Sequence, residues 1–136
     1  MKIDFNQIER ILKVFEEHEY SAITSKQLFD KLELNDKEKN DCEYFSFYMQ
    51  LLKDQGLIEC LSTNPTDKDN FGITYTGNGQ FCLKILNFRL TSLGHQTLES
   101  LENKEIWEKI KERVNMLGIE GLKQIPSLAI NLLSKL

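Results

Sequence analysis

The two histidines are the side chains of this sequence best suited to proton transfer near neutral pH, as a general base or a titrating switch. His18 stands among Glu16, Glu17 and Glu19, where a solvated role at a helix C-terminus, favoured by the helix dipole, outweighs catalysis. His95 follows Arg89-Leu90-Thr91 and Gly94, at a junction where a hydrogen bond to a turn or strand group is the expected use of the ring. Cys42, Cys60 and Cys82 are odd in number and widely spaced, with no C-x-x-C pair. That pattern argues against a zinc set and against a disulfide framework. Serine, cysteine and histidine form no nucleophile motif. Gly72, Gly77 and Gly79 precede no Gly-Lys-Ser/Thr and no helix start, so they read as hairpin glycines and not as a phosphate cradle. The expectation is a protein that is not an enzyme and has no cofactor and no metal.

The elements that would carry any other function are bounded by length and composition. At 136 residues the chain can build one hydrophobic core and is short for two ordinary domains. Apolar residues at 40% and charged residues at 28% indicate an ordinary globular protein. The net charge of −4 has the wrong sign for a general nucleic-acid or anionic-membrane binder. No apolar run approaches the roughly 20 residues of a membrane span, and the opening Met1-Lys2-Ile3-Asp4 lacks the apolar stretch of a signal peptide. A cytoplasmic protein with no membrane partner is expected.

Ile8, Ile11, Leu12 and Phe15 recur at helical spacing behind Asp4, a suitable N-cap. Thr24 or Ser25 can cap a short second helix with Leu28, Phe29 and Leu32, ending before Asn35-Asp36. A third helix is predicted from about Asp36 to Gln55, through Phe45, Tyr48, Met49 and Leu52, with Gly56 as its stop. Leu57 to Ser62 reads as a strand, and Thr63 to Asn70, containing Asn64-Pro65, as a turn. A short strand at Gly72 to Thr76, a turn at Gly77-Asn78-Gly79 and a strand from Phe81 to Leu90 complete a small sheet. Thr91 can cap a further helix, and another follows Asn103 with Ile106, Trp107, Ile110, Val114 and Leu117. Gly118 and Gly121 set off a last amphipathic segment with Ile125, Leu128, Ala129, Leu132 and Leu136, in which Pro126 fits only the first turn. The fold class is mainly α with a small antiparallel β-sheet: a winged helix-turn-helix over 1–90 and a C-terminal helical extension over 91–136, as one structural unit.

Several of these residues carry a resemblance: Met1-Lys2 with Asp4, Ile8, Ile11 and Leu12, Leu51-Leu52 before Gly56-Leu57-Ile58-Glu59, Arg89-Leu90-Thr91 with Gly94-His95, Trp107, and the leucine-rich end. In them the chain resembles a family of small, mostly prophage-encoded bacterial proteins known as a domain of unknown function and grouped with helix-turn-helix folds. Ser92 and Leu93 stand where that pattern has an aromatic and an acidic residue. The resemblance implies a winged helix and a mobile-element setting, and no catalytic residue.

A winged helix invites DNA binding, with the third helix in the major groove. Asn40, Ser46, Gln50 and Lys53 share a polar face of that helix, Lys68 lies in the wing, and Asn or Gln can pair with adenine. Against this, Asp36, Glu38, Asp41, Glu43 and Asp54 outnumber Lys37, Lys39 and Lys53, and Asp67 and Asp69 outnumber Lys68. DNA affinity comes largely from Lys and Arg at phosphates. The competing reading is protein binding through Tyr44, Phe47 and Tyr48, too closely spaced around one helix for all to face the core. Ile125, Leu128, Leu132 and Leu136 either fold back onto the domain or form a homodimer, and the sequence leaves these two equally open. The favoured function is a winged-helix module of phage or mobile-element type that binds a host or phage protein and modulates it. The alternative is a sequence-specific regulator of double-stranded DNA.

Overall fold

A computed structural model of the chain describes residues 3–118 and 124–133. Asp4 begins the first helix by accepting the Asn6 N–H at 2.9 Å, which satisfies one donor that a helix start leaves unpaired. Helix α1 (Phe5–Glu17) buries the predicted stripe Ile8, Ile11, Leu12 and Phe15. A two-residue strand, β1 (Ile23–Thr24), follows where only a polar connection was expected. Thr24 then caps α2 (Ser25–Lys31): its hydroxyl accepts from the Gln27 N–H, and the Gln27 amide oxygen accepts from the Thr24 N–H. Helix α3 (Lys39–Asp54) begins at Lys39 and not at Asp36. The intervening residues make a side-chain turn instead, with Asn35 accepting from the Lys37 N–H and Asp41 from the Asn35 N–H.

Strands β1, β2 (Ile58–Cys60) and β5 (Asn87–Leu90) form a three-stranded antiparallel sheet with β5 in the middle. Ile23 pairs with Phe88 and Ile58 with Leu90. The alternation of β5 sends Phe88 and Leu90 into the core and leaves Asn87 and Arg89 outside, where Arg89 pairs with Glu59 across the strands. Strands β3 (Ile73–Tyr75) and β4 (Phe81–Leu83) form a separate two-stranded hairpin.

The segment predicted as one strand from Phe81 to Leu90 is therefore two strands in two sheets. Ser25 is the reason. Its hydroxyl, with no solvent exposure, donates to the Lys84 carbonyl at 2.8 Å and accepts from the Leu86 N–H at 2.9 Å. Its own N–H donates to the Leu86 carbonyl at 2.8 Å. These bonds take the backbone groups of Lys84 and Leu86 that a continuous ladder would have used, and the chain crosses from one sheet to the other at that point. The turn predicted for Thr63 to Asn70 is likewise replaced by helix α4 (Pro65–Asn70). Asn64 accepts from the Thr66 N–H at 2.9 Å and Pro65 occupies the first turn, the place where proline costs a helix nothing.

Three further helices follow: α5 (Ser92–Ser100), α6 (Lys104–Leu117) and α7 (Ile125–Leu133). Thr91 caps α5 through the Gly94 N–H and also donates to the Gly56 carbonyl. Gly94 is required there, since a Cβ would sit 2.1 Å from the Leu57 carbonyl oxygen. Helix α1 packs on α5, and α7 on α5 and α6. The Trp107 indole N–H donates to Glu9 at 2.6 Å, tying α6 to α1. Ile106, Trp107, Ile110, Ile125 and Ala129 thus join Ile8, Leu12 and Phe45 in one continuous core.

Ser25→Ala removes both hydroxyl bonds and leaves the buried Leu86 N–H without its acceptor. The expected loss is about 1–3 kcal/mol, read from urea denaturation; an unchanged midpoint would disprove the role assigned to Ser25.

Candidate functional site

The three aromatics of α3 divide by role. Tyr48 is 3% exposed, so it is a core residue and leaves the predicted protein-binding set; its hydroxyl accepts from the Asp4 N–H at 3.0 Å. Tyr44 is half-buried and donates to Gln7 at 2.6 Å, and burial pushes its phenol pKa up. Both serve to hold α1. Phe47 stands edge-on to Tyr48, half-buried, at the border of an open groove.

That groove, about 560 Å³ between α3 and α4, has Phe47, Leu51 and Phe71 as its apolar lining. Glu43, Asp54 and Asp69 stand around it, with Ser46 and Gln50. Helix α4 is seated by Asp67, whose carboxylate accepts from the Ser62 hydroxyl at 2.8 Å and pairs with the Lys84 ammonium at 3.0 Å. The Lys84 ammonium, and after it the Ser62 hydroxyl, hold the Asp67 carboxyl below the usual carboxylate range. Phe71 ends α4 in the left-handed region at φ 56. Its ring is 2% exposed and packs 6.3 Å from Phe88.

Of the residues read from the sequence as a DNA-contacting set, Ser46 and Gln50 line this groove. Gln50 already donates to Asp54 at 2.7 Å. The Lys53 ammonium is engaged as well: it donates to the Lys68 carbonyl at 2.9 Å, stands 3.8 Å from Asp69 and lies 5.8 Å from the Phe71 ring centre. Asn40 and Lys68 are exposed and do not line the groove. Leu51 and Phe71 escaped the sequence reading because α4 did: Asn64-Pro65 signals a helix start as well as a turn, and only the helix carries Phe71 back to α3.

A second cleft, about 400 Å³, lies between the start of α3 and the β3–β4 hairpin. Lys37, Lys39, Glu43, Tyr75, Gly79 and Phe81 line it, and Tyr75 is 66% exposed. His18 and His95, unrelated in the sequence, line a third cleft with Glu16, Glu19 and Tyr20. His18 is the C-cap of α1 and its ring meets Tyr20 edge-on. His95 is exposed, with its backbone N–H on the Thr91 carbonyl.

The residues read as an oligomer contact separate too. Ile125 is 1% exposed and belongs to the core within one chain, so it offers no free face; Leu128 is half-buried against that core. The Leu132 side chain and Leu136 lie outside the described residues. Among the described residues no group of three or more His, Cys, Asp or Glu could hold a metal ion, and no helix is long and apolar enough to cross a membrane. Cys42 and Cys60 are buried, Cys82 is exposed, and burial pushes the Cys42 thiol up.

A family model described as hypothetical protein (DUF2513) matches residues 2–120 of the chain. No curated protein and no solved structure matches it.

The depressed Asp67 value fixes the sign of a pH effect. Its contribution to stability is complete above the ordinary carboxylate value of 3.8 and is lost as pH falls through the lower folded value. Asp67→Asn is therefore expected to melt a few degrees below the wild type at neutral pH, with the gap closing under acid conditions. A gap that stays constant from neutral to strongly acid pH in paired melting curves contradicts the assignment.

Proposed function

We propose that this chain, which belongs to the DUF2513 family, is a winged-helix protein-interaction module that works without catalysis. The topology supports the winged-helix reading: three helices with a short strand before the second, then β2, the short α4, a hairpin, and β5 returning between β1 and β2. The observation that carries the binding reading is the groove on α3, where an apolar lining that includes Phe47 is bordered by Glu43, Asp54 and Asp69. A DNA-reading helix keeps Lys and Arg free for phosphates along its flanks. Here the Lys53 ammonium is drawn to Asp69, and the Gln50 amide is occupied by Asp54. Apolar contact area with a polar border is the make-up of a protein interface.

The module acts by occupying a host or phage protein and so modulating it. The prophage-associated resemblance of Arg89-Leu90-Thr91 with Gly94-His95 supports a mobile-element setting. Self-association through α7 has less support, because Ile125 and Ala129 are covered within one chain. DNA binding stands as a second reading on one observation: Lys37, Lys39 and the exposed Tyr75 share the cleft beside the hairpin, where Glu43 is the acidic residue among its lining.

Two measurements test the choice. Titration with the DNA flanking the gene, at low and moderate salt, is expected to show no sequence-selective binding. Tight selective binding that is lost in Gln50→Ala and Lys53→Ala overturns the proposal. A photo-crosslinking residue placed at Phe47 in host cells is expected to give a discrete protein adduct; adducts to nucleic acid alone, or none, count against it.

A further inference from the structure

We infer that the occupant of the α3–α4 groove is a cationic segment of a partner protein. It would lay an apolar side chain on the half-buried Phe47, above the buried Leu51 and Phe71, and set Arg or Lys against Glu43, Asp54 and Asp69. This rests on the protein-binding reading above and adds the chemistry of the partner. Three carboxylates border the groove and, among the described residues, no Lys or Arg is in its lining, although Lys53 reaches its edge. Asp54 has one oxygen on the Gln50 amide, and among the described residues the ion pair of Asp69 is the 3.8 Å approach of Lys53. Glu43 makes no ion pair among the described residues. Like charges held around one concavity focus a negative potential that attracts a cation and repels an acidic or phosphate-bearing partner.

The molecule already places a cation there. Lys53 folds its ammonium onto the Lys68 carbonyl, toward Asp69 and over the Phe71 ring, while its side chain stays 35% exposed. An incoming guanidinium offers the same rim more: a planar fork that bonds carboxylates in pairs. The groove volume is in the range that takes a few side chains, and its apolar lining supplies the area that surface ion pairs alone lack.

The test uses the full chain and three fluorescein-labelled helical peptides of about 14 residues, roughly 21 Å long, built from Leu with Arg, Gln or Glu. Anisotropy titrations are run at about 50 and about 300 mM salt, so that screening changes several-fold in strength. The Arg/Leu peptide is expected to bind at least about tenfold more tightly than the Gln/Leu peptide at low salt, and the Glu/Leu peptide not to bind. The double variant Asp54→Lys, Asp69→Lys should remove that preference with an unchanged melting temperature, and Phe47→Ala should weaken the Arg/Leu and Gln/Leu peptides together. Equal binding of the Arg/Leu and Gln/Leu peptides, lost in Phe47→Ala, overturns the cation requirement and leaves the protein-binding reading intact. Binding of Arg/Leu that ignores the double variant, or no binding of any peptide, also overturns the inference. The crosslink at Phe47 then judges the broader reading separately.

Discussion

Ser25 has no contact with solvent, yet its side chain and backbone make three hydrogen bonds to a segment far along the chain. A buried hydroxyl left unpaired is costly, so the α2 start and the Lys84–Leu86 crossing have to form together. The arrangement that results sends β5 between β1 and β2, frees the β3–β4 hairpin from the main sheet, and leaves the Lys84 ammonium on the side of α4. Thr91 makes a similar joint at the other end of β5, where its hydroxyl serves both the α5 cap and the Gly56 carbonyl. Strand β5 is thus pinned at both ends, which explains how a sheet of two- to four-residue strands holds its register against the helices.

The groove inherits its shape from that constraint. Lys84, placed by the crossing, reaches back to Asp67 and seats α4. Phe71 then closes α4 in a left-handed conformation, which a bulky side chain adopts only where its surroundings hold it. Burial of its ring beside Phe88 supplies that hold. The same turn brings Gly72 so near the Lys84 carbonyl that a Cβ would lie 2.5 Å from it. Packing therefore determines where the apolar lining of the groove sits, and its acidic border follows from which side chains of α3 and α4 remain outside.

Charge does for function what packing does for form. The acidic excess of the chain is distributed, but α3 and α4 concentrate part of it around one concavity, whereas Lys37 and Lys39 face a different cleft beside the hairpin. A run of basic residues across α3 would have favoured phosphate; instead the two clefts differ in charge, one mixing Lys37 and Lys39 with Glu43 and the other adding Asp54 and Asp69 to that same Glu43. The C-terminal helices cover the core: Ile125, Ala129 and Trp107 complete it, and the Trp107 indole N–H is spent on Glu9.

Helix existence and burial were legible in the sequence wherever periodicity was strong. Ile8, Ile11, Leu12 and Phe15, the Thr91 cap, and Ile106, Trp107 and Ile110 all lie where their spacing places them, because a 3.6-residue stripe and an N-cap are local properties. Of the two caps open to the second helix, Thr24 and Ser25, the structure uses Thr24. The acidic character of α3 was legible too, as composition alone. What tertiary structure decided is whatever depends on two distant segments meeting. The sequence cannot show Ser25 interrupting the strand predicted from Phe81 to Leu90, nor choose helix over turn after Asn64-Pro65, nor select Phe47 over Tyr48 as the aromatic left nearer the surface. Each choice is made by a long-range hydrogen bond or by the core volume available on one side of a helix, and neither is written in the neighbouring residues.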